Sequence, residues 1–435
     1  VLDTGDTAWL LVSAALVMVM TPGLALFYGG MVRSRSVLNV MMLTFVCLAT
    51  VGVVWLLYGY SLVFGDSVGG FIGDFGLAGL HGVGDRLVGP EGHQVPLLAF
   101  AVFQLMFAVI TVALLVGAVA ERARFWPWLV FVVVWVTLVY LPLAHWVFAV
   151  DGFSGPGTAG GWIINKLHAL DFAGGTAVEV NSGAAAVALA IVVGRRHGWP
   201  RQPVRPHNLP FVMLGAGILW FGWFGFNAGS ALGANSVAAT SFVNTTVAAG
   251  TAVLGWLVVE QVRDGKPTTL GAASGAVAGL VGITPGCGYV EPIGAAVIGV
   301  VAGVVCSLAI GLKYKLGLDD SLDVLAVHGI GGFVGMLLIG LFASKGANRA
   351  GADGLFYGGG LDQLWRQAVA ACSALGYSLV VTLVIAWIIH RTLGLRVERE
   401  SELDGIDEAE HAESAYDLAV VPSRRGAGAE EGVHR

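Results

Sequence analysis

Two segments place an acid eight residues ahead of a second titratable group in apolar surroundings: Asp171-Phe-Ala-Gly-Gly-Thr-Ala-Val-Glu179 and Asp320-Ser-Leu-Asp-Val-Leu-Ala-Val-His328. A carboxylate and an imidazole together can hold, share or pass a proton. Left alone in a membrane interior, an ionised group of this kind costs about 2.5–3.5 kcal/mol even on the lenient insertion scale. Pairing Glu179 with His328 answers that cost, so the two are read as a proton relay. Asp171 and Asp320 carry a second reading, because Asp is a favoured helix N-cap and each opens an apolar run.

A second constellation is aromatic. Phe103-Gln-Leu-Met-Phe107 and Gly222-Trp-Phe-Gly-Phe-Asn-Ala-Gly-Ser230 carry the rings of Phe103, Phe107, Trp223, Phe224 and Phe226. Rings facing a narrow path hold a cation through their quadrupole or gate by dewetting. Core packing explains such stripes too, but the glycines beside Trp223 and Phe226 open room next to the rings. Cys47, Cys287, Cys306 and Cys372 are scattered without a CxxC pair or a histidine at ligand spacing. They are expected to be small core residues, and no metal or cofactor is expected. No nucleophile–base pair or phosphate-cradling loop stands out, so the chain is not read as an enzyme.

The elements that must position these groups are set by composition. Of the 435 residues, 56% are hydrophobic and 12% charged, with mean hydropathy +0.79, against about 25% charged in soluble domains. Such a chain faces hydrocarbon, where only helices or closed barrels satisfy the backbone, and the long apolar runs favour helices. It is not read as a nucleic-acid binder, and its net charge of -6 says little about partners, since eleven of its 29 acidic residues sit together in the tail from Glu398 to Glu431. With about 20 apolar residues needed per span, the pattern predicts an all-α integral membrane protein of eleven helices. They fall near 8–31, 37–64, 95–120, 125–149, 168–194, 208–231, 237–262, 268–286, 289–312, 320–343 and 365–390. The run Trp9 to Tyr28 lacks a basic leader and is too long for a signal segment, so it is read as the first of them.

Arg33, Arg35, Arg122, Arg124, Arg195, Arg196, Arg201, Arg205, Arg263, Lys266, Lys313 and Lys315 all fall in one set of alternate loops. The positive-inside rule then puts the N-terminus outside and the tail in the cytoplasm. The equal acid-to-partner spacing in the fifth and tenth helices, which run in opposite directions, predicts two inverted five-helix repeats, about 8–194 and 208–343, with their sites at the midplane. The eleventh helix lies outside the repeat. Small-xxx-small spacing such as Gly271–Gly275–Gly279 predicts close helix contact. Residues 1–392 are thus expected to span the membrane, 393–418 to form a cytoplasmic tail, and 419–435 to be disordered.

At Thr21-Pro-Gly-Leu-Ala-Leu-Phe-Tyr-Gly-Gly30, Asp171-Phe-Ala-Gly-Gly-Thr176, Gly222 to Ser230, Gly282-Ile-Thr-Pro-Gly-Cys-Gly-Tyr289 and Val327-His-Gly329, the chain resembles the Amt/MEP/Rh ammonium transporters. The resemblance implies passage of ammonium or ammonia, with methylammonium open as an analogue, across the plasma membrane by a homotrimer with a narrow pore in each subunit. It further implies Phe107 and Phe226 as stacked gate rings, Ser230 as the outer-site hydroxyl, Trp223 as a pore-wall aromatic, and Asp171 as a buried acid supporting the outer site. His328 is similar to the second of two midpore histidines, and Gly394-Leu-Arg-Val397 through Tyr416 to the family's regulatory tail, which implies a PII-type partner. Two positions depart from the common bacterial pattern. Glu179 stands where the first midpore histidine is expected, as in a subset of fungal MEP proteins, and Phe148 replaces the outer-site Trp, with Trp146 the alternative indole nearby. The resemblance leaves two other roles open, an ammonium sensor acting through a PII-type partner and a passive ammonia gas channel.

Overall fold

With no water to bond the backbone in a membrane, each long apolar run closes its hydrogen bonds within itself as a helix. The computed structural model describes residues 1–202 and 204–416. The end expected to be disordered, 419–435, lies outside the described residues, as do the last two residues of the expected tail. Among the described residues, ten helices are long and apolar enough to cross a membrane. They are α1 Thr4–Met31, α2 Val37–Phe64, α3 Leu97–Val119, α4 Phe125–Phe148, α5 Gly175–Val193, α6 Leu209–Gly229, α7 Ser236–Asp264, α9 Pro292–Leu316, α10 Leu325–Phe342 and α11 Asp362–Thr392. Between α7 and α9 lies a shorter apolar helix, α8 Thr269–Ile283, of 15 residues. Two short tail helices follow, α12 Arg399–Asp404 and α13 Ile406–His411. Strand among the described residues is limited to two antiparallel pairs of two-residue strands in the α2–α3 connection.

Three expected spans shorten. The segment 268–286 is helical only to Ile283, because Pro285 and the glycines around it turn the chain. Residues 168–174 and 320–324 stay outside α5 and α10. In the first, His168 and Gly174 take positive φ, of 53° and 104°; in the second, Asp323 does so at 62°. Each helix opens instead with a π-helical turn, Gly175–Val180 and Leu325–Ile330.

Packing runs through glycine, as the sequence predicts. Along α1 and α6, Gly215 lies against the backbone of Phe27, and Gly225 against that of Ser13. At the crossing of α5 and α10 a Cβ on Gly183 would run into the backbone of Gly329. Without a hydrophobic drive between membrane helices, this close approach supplies the dispersion contacts that hold them.

The loops rich in basic residues converge on one face with the tail. Buried Glu121 receives Arg33 Nε at 2.7 Å and Arg196 Nη1 at 3.0 Å, and Arg196 Nη2 continues to Asp319 Oδ1 at 2.8 Å. Buried charges persist only when paired in this way. Although burial raises the carboxyls of Glu121 and Asp319, the surrounding guanidinium groups outweigh it and hold both below the usual carboxylate range. The tail locks onto this base: Glu402 accepts Arg396 Nη2 and His197 N, each at 2.6 Å. Asp407 accepts the amides of Leu38 and Asn39 at 3.0 and 2.8 Å, and Glu410 that of Phe125 at 2.9 Å, so carboxylates of the tail cap α2 and α4.

On the opposite face the fold gathers Asp3, Asp6 and His93, whose distant numbers hid their proximity. Asp6 Oδ1 accepts Ala234 N at 2.8 Å and Oδ2 lies 3.1 Å from His93 Nδ1. The trio fastens the start of α1 to the α6–α7 turn.

Candidate functional site

Three cavities lie in series through the bundle. The first, about 150 Å³, opens on the face away from the tail and is lined by Phe107, Phe148, Asp171, Ser230, Gln104 and Tyr289 among others. The second, about 10 Å³, is lined by Phe226, Trp223, Glu179, His328 and aliphatic side chains. The third, about 90 Å³ on the tail side, is lined by Tyr28, Glu260, Asp323 and again His328.

A pair of phenylalanines divides the first cavity from the second. Phe107 on α3 and Phe226 on α6 stack with centroids 4.1 Å apart and planes 12° from parallel. Both are buried, as expected from their setting in apolar helices. Phe148, at the end of α4, meets Phe107 edge-on at 6.1 Å. Trp223 tilts against Phe226 at 5.5 Å, and its indole N–H donates to Thr284 Oγ1 at 2.8 Å, which fixes the ring as wall. Thr284 in turn donates to Asn227 Oδ1 at 3.2 Å.

Ser230, just after α6, donates its hydroxyl to Phe226 O at 2.8 Å. Its oxygen lone pairs are thereby left to accept from a donor in the first cavity. Asp171 sits behind this rim and accepts the amides of Gly174, Gly175 and Thr176 at 2.9, 2.6 and 2.7 Å, and the Thr176 hydroxyl as well. Both of its oxygens are occupied in capping the start of α5. Asp320 is the counterpart at α10, where Oδ2 accepts Leu325 N at 2.7 Å.

Beneath the rings, Glu179 and His328 face each other from the two π-helical turns. His328 Nδ1 lies 2.7 Å from Glu179 Oε2. Either the imidazole N–H donates to the carboxylate or a protonated carboxyl donates to the imidazole; one proton serves both. Glu179 Oε1 has no partner among the described residues. The second cavity beside them is at the threshold for a single water molecule, about 10–15 Å³, so a hydrated cation does not fit.

The family model for the Ammonium Transporter Family matches residues 8–416. The chain belongs to this family. An ammonium transporter of Mycobacterium tuberculosis (strain H37Rv) is 59% identical, the match covering 96% of this chain and 91% of that one. The ammonium transporter of Bacillus subtilis (strain 168) is 47% identical, over 95% and 99% of the two chains. Among solved structures, Mep2 of Candida albicans superposes with a TM-score of 0.83 at 35% identity, covering 92% of this chain and 88% of that one. A sensor Amt protein does so with 0.84 at 29% identity, covering 94% and 98%.

In this ammonium transporter the fold brings together Phe107, Phe148, Asp171, Trp223, Phe226, Ser230, Glu179 and His328 around one line of cavities. It does not bring Trp146 there. That indole donates to Phe71 O at 2.8 Å and packs on Trp162 and Tyr377, away from the rings, so it is no substitute for an indole at position 148. Sequence reasoning missed Gln104 and Tyr289 in the first cavity and Tyr28 in the third. Gln104 had a signal: an amide three residues before Phe107 in an otherwise apolar helix. Tyr28 and Tyr289 gave none that set them apart from other motif residues.

Proposed function

We propose that this ammonium transporter binds ammonium at the Ser230 rim, strips its water at the Phe107–Phe226 pair, and passes ammonia and a proton separately through the middle of the bundle. The observation that carries the reading is the Glu179–His328 pair, 2.7 Å apart, beside a cavity with room for about one small molecule. Potassium and ammonium are nearly equal in size, so diameter alone cannot sort them. A dry aromatic constriction does, because potassium leaves its hydration oxygens only for replacements, whereas ammonium can give up a proton and continue as a neutral molecule. The proton goes to the Glu179–His328 pair and is released on the tail side; each cycle then moves one ammonia, one proton and one net charge.

In this reading eleven spans form two inverted repeats plus α11, with the 15-residue α8 as the short eighth span. Supporting the repeat are the equivalent π-helical starts of α5 and α10, each opened by an Asp and each bearing its titratable group on the same turn. The tail face is cytoplasmic by the positive-inside rule and the first cavity faces outward across the plasma membrane. The subunit works as a homotrimer with one pore each, and its tail, clasped to the ends of α2 and α4, is the place for a PII-type partner. A sensing role rests on the likeness to a sensor Amt protein and on that clasp. Ammonium-evoked current in proteoliposomes, with potassium as the control, tests the main reading. Current for ammonium alone supports it; electrically silent ammonia flux would make the protein a gas channel, and no flux at all a sensor.

A further inference from the structure

We propose that Gln104 is a specificity-determining acceptor for ammonium at the first cavity; this rests on the reading of that cavity as the binding site of the mouth. Gln104 stands on α3 one turn before Phe107, on the same helix face, and lines the cavity with Phe107, Phe148 and Ser230. It is 7% exposed, and its carboxamide makes no hydrogen bond to any described residue. The amide is open to the cavity and is left free to bond a molecule there. The other polar groups of the lining do not take it up. Asp171 has both oxygens taken by α5, and Ser230 spends its proton on Phe226 O. Tyr289 also lines the cavity.

Ammonium offers four N–H donors. The rings of Phe107 and Phe148 accept weakly through their faces, and Phe is the weaker cation–π partner compared with Trp. Ser230 supplies one oxygen. Gln104, whose carboxamide turns its oxygen toward the cavity by a half rotation, supplies a second and so offsets what Phe148 lacks. Because the acceptor reads N–H groups, it discriminates by their number: methylammonium has three, and a methyl group turned toward Gln104 would leave the amide unpaired again.

Initial uptake rates of ammonium and of methylammonium into proteoliposomes holding the full chain test this. Gln104→Leu is expected to raise the half-saturating ammonium concentration about tenfold, the equivalent of about 1.4 kcal/mol, with the maximal rate retained and a smaller shift for methylammonium. Gln104→Glu keeps an acceptor oxygen and is expected to stay at or below the wild-type value. Gln104→Met repeats the measurement with an unbranched apolar chain should the leucine variant fail to reach the membrane. An unchanged half-saturation, a fall in maximal rate alone, or equal shifts for the two ions overturns the proposal. Ser230→Ala separates the two levels: a shift there with none at Gln104 sinks only the role of Gln104, whereas no shift at either removes the mouth site itself.

Discussion

Glu179 Oε2 and His328 Nδ1 meet at 2.7 Å just above the crossing where Gly183 lies against Gly329, so the proton-sharing pair and this glycine contact between α5 and α10 belong to the same joint. The free Oε1 of Glu179 is the one buried carboxylate oxygen of the pair without a partner. Glu179→Gln keeps the shape and removes the titration. Ammonium-evoked current in proteoliposomes is expected to vanish in that variant while the protein remains folded; a current equal to wild type would dismiss the pair as the relay.

Joining the first and second cavities should cost selectivity. Phe107→Ala combined with Phe226→Ala removes both stacked rings and lets water reach Glu179 and His328. The ratio of ammonium to potassium current is expected to fall at least about tenfold, the equivalent of about 1.4 kcal/mol of lost discrimination. A ratio that stays at the wild-type level would place the filter elsewhere.

Position 148 offers a gain rather than a loss. Phe148→Trp presents a stronger cation–π face beside Phe107. A gain of about 0.5–1 kcal/mol lowers the half-saturating ammonium concentration about two- to fivefold. Uptake kinetics that show no tightening would mean that this ring does not touch the ion.

The joint between α5 and α10 has no spare volume. Gly183→Val would force its side chain into the backbone of Gly329, an overpacking that costs about 1–3 kcal/mol or more. Lower thermal stability of the detergent-solubilised protein is expected, together with impaired transport. A midpoint equal to that of wild type would show that the helices separate freely.

The ion network at the base has a defined pH signature. Glu121 and Asp319 are held below the ordinary carboxylate range by Arg196 and its neighbours, so the folded protein releases their protons more readily than the unfolded chain does. Their stabilisation is complete above about pH 4, the unfolded value, and is lost as pH falls through the folded values. Asp319→Asn leaves Arg196 and Arg122 short of a buried partner, at a cost of about 3–5 kcal/mol. Thermal melts from pH 7 to pH 3 should show a smaller acid-induced drop in the variant, starting from a lower midpoint; parallel profiles would deny the network that role.

The pairing of Glu179 with His328 was legible because cost and spacing acted together: each group was too expensive alone, and the two segments had one pattern. The stacked rings were legible only through the resemblance, since Phe103 and Phe107 share the same spacing and core packing explains either. The late starts of α5 and α10 were not legible. They depend on Asp171 accepting three amides and Asp320 the amide of Leu325, which competes with continuing the helix and is decided by burial rather than propensity. Trp146 and the Asp3–Asp6–His93 trio were hidden for a different reason: both owe their positions to a long connection, α2–α3, that no periodicity describes.

The caps that Asp407 and Glu410 provide to α2 and α4 lie more than 280 residues further along the chain than the amides they bind. During synthesis the starts of these helices are made early and inserted long before their capping groups leave the ribosome. Until then their first amides are met by water or lipid headgroups alone. The segment bearing Asp407 and Glu410 therefore acts on the nascent bundle as a closing stitch, and the chain reaches its final ground state only after translation has passed beyond it.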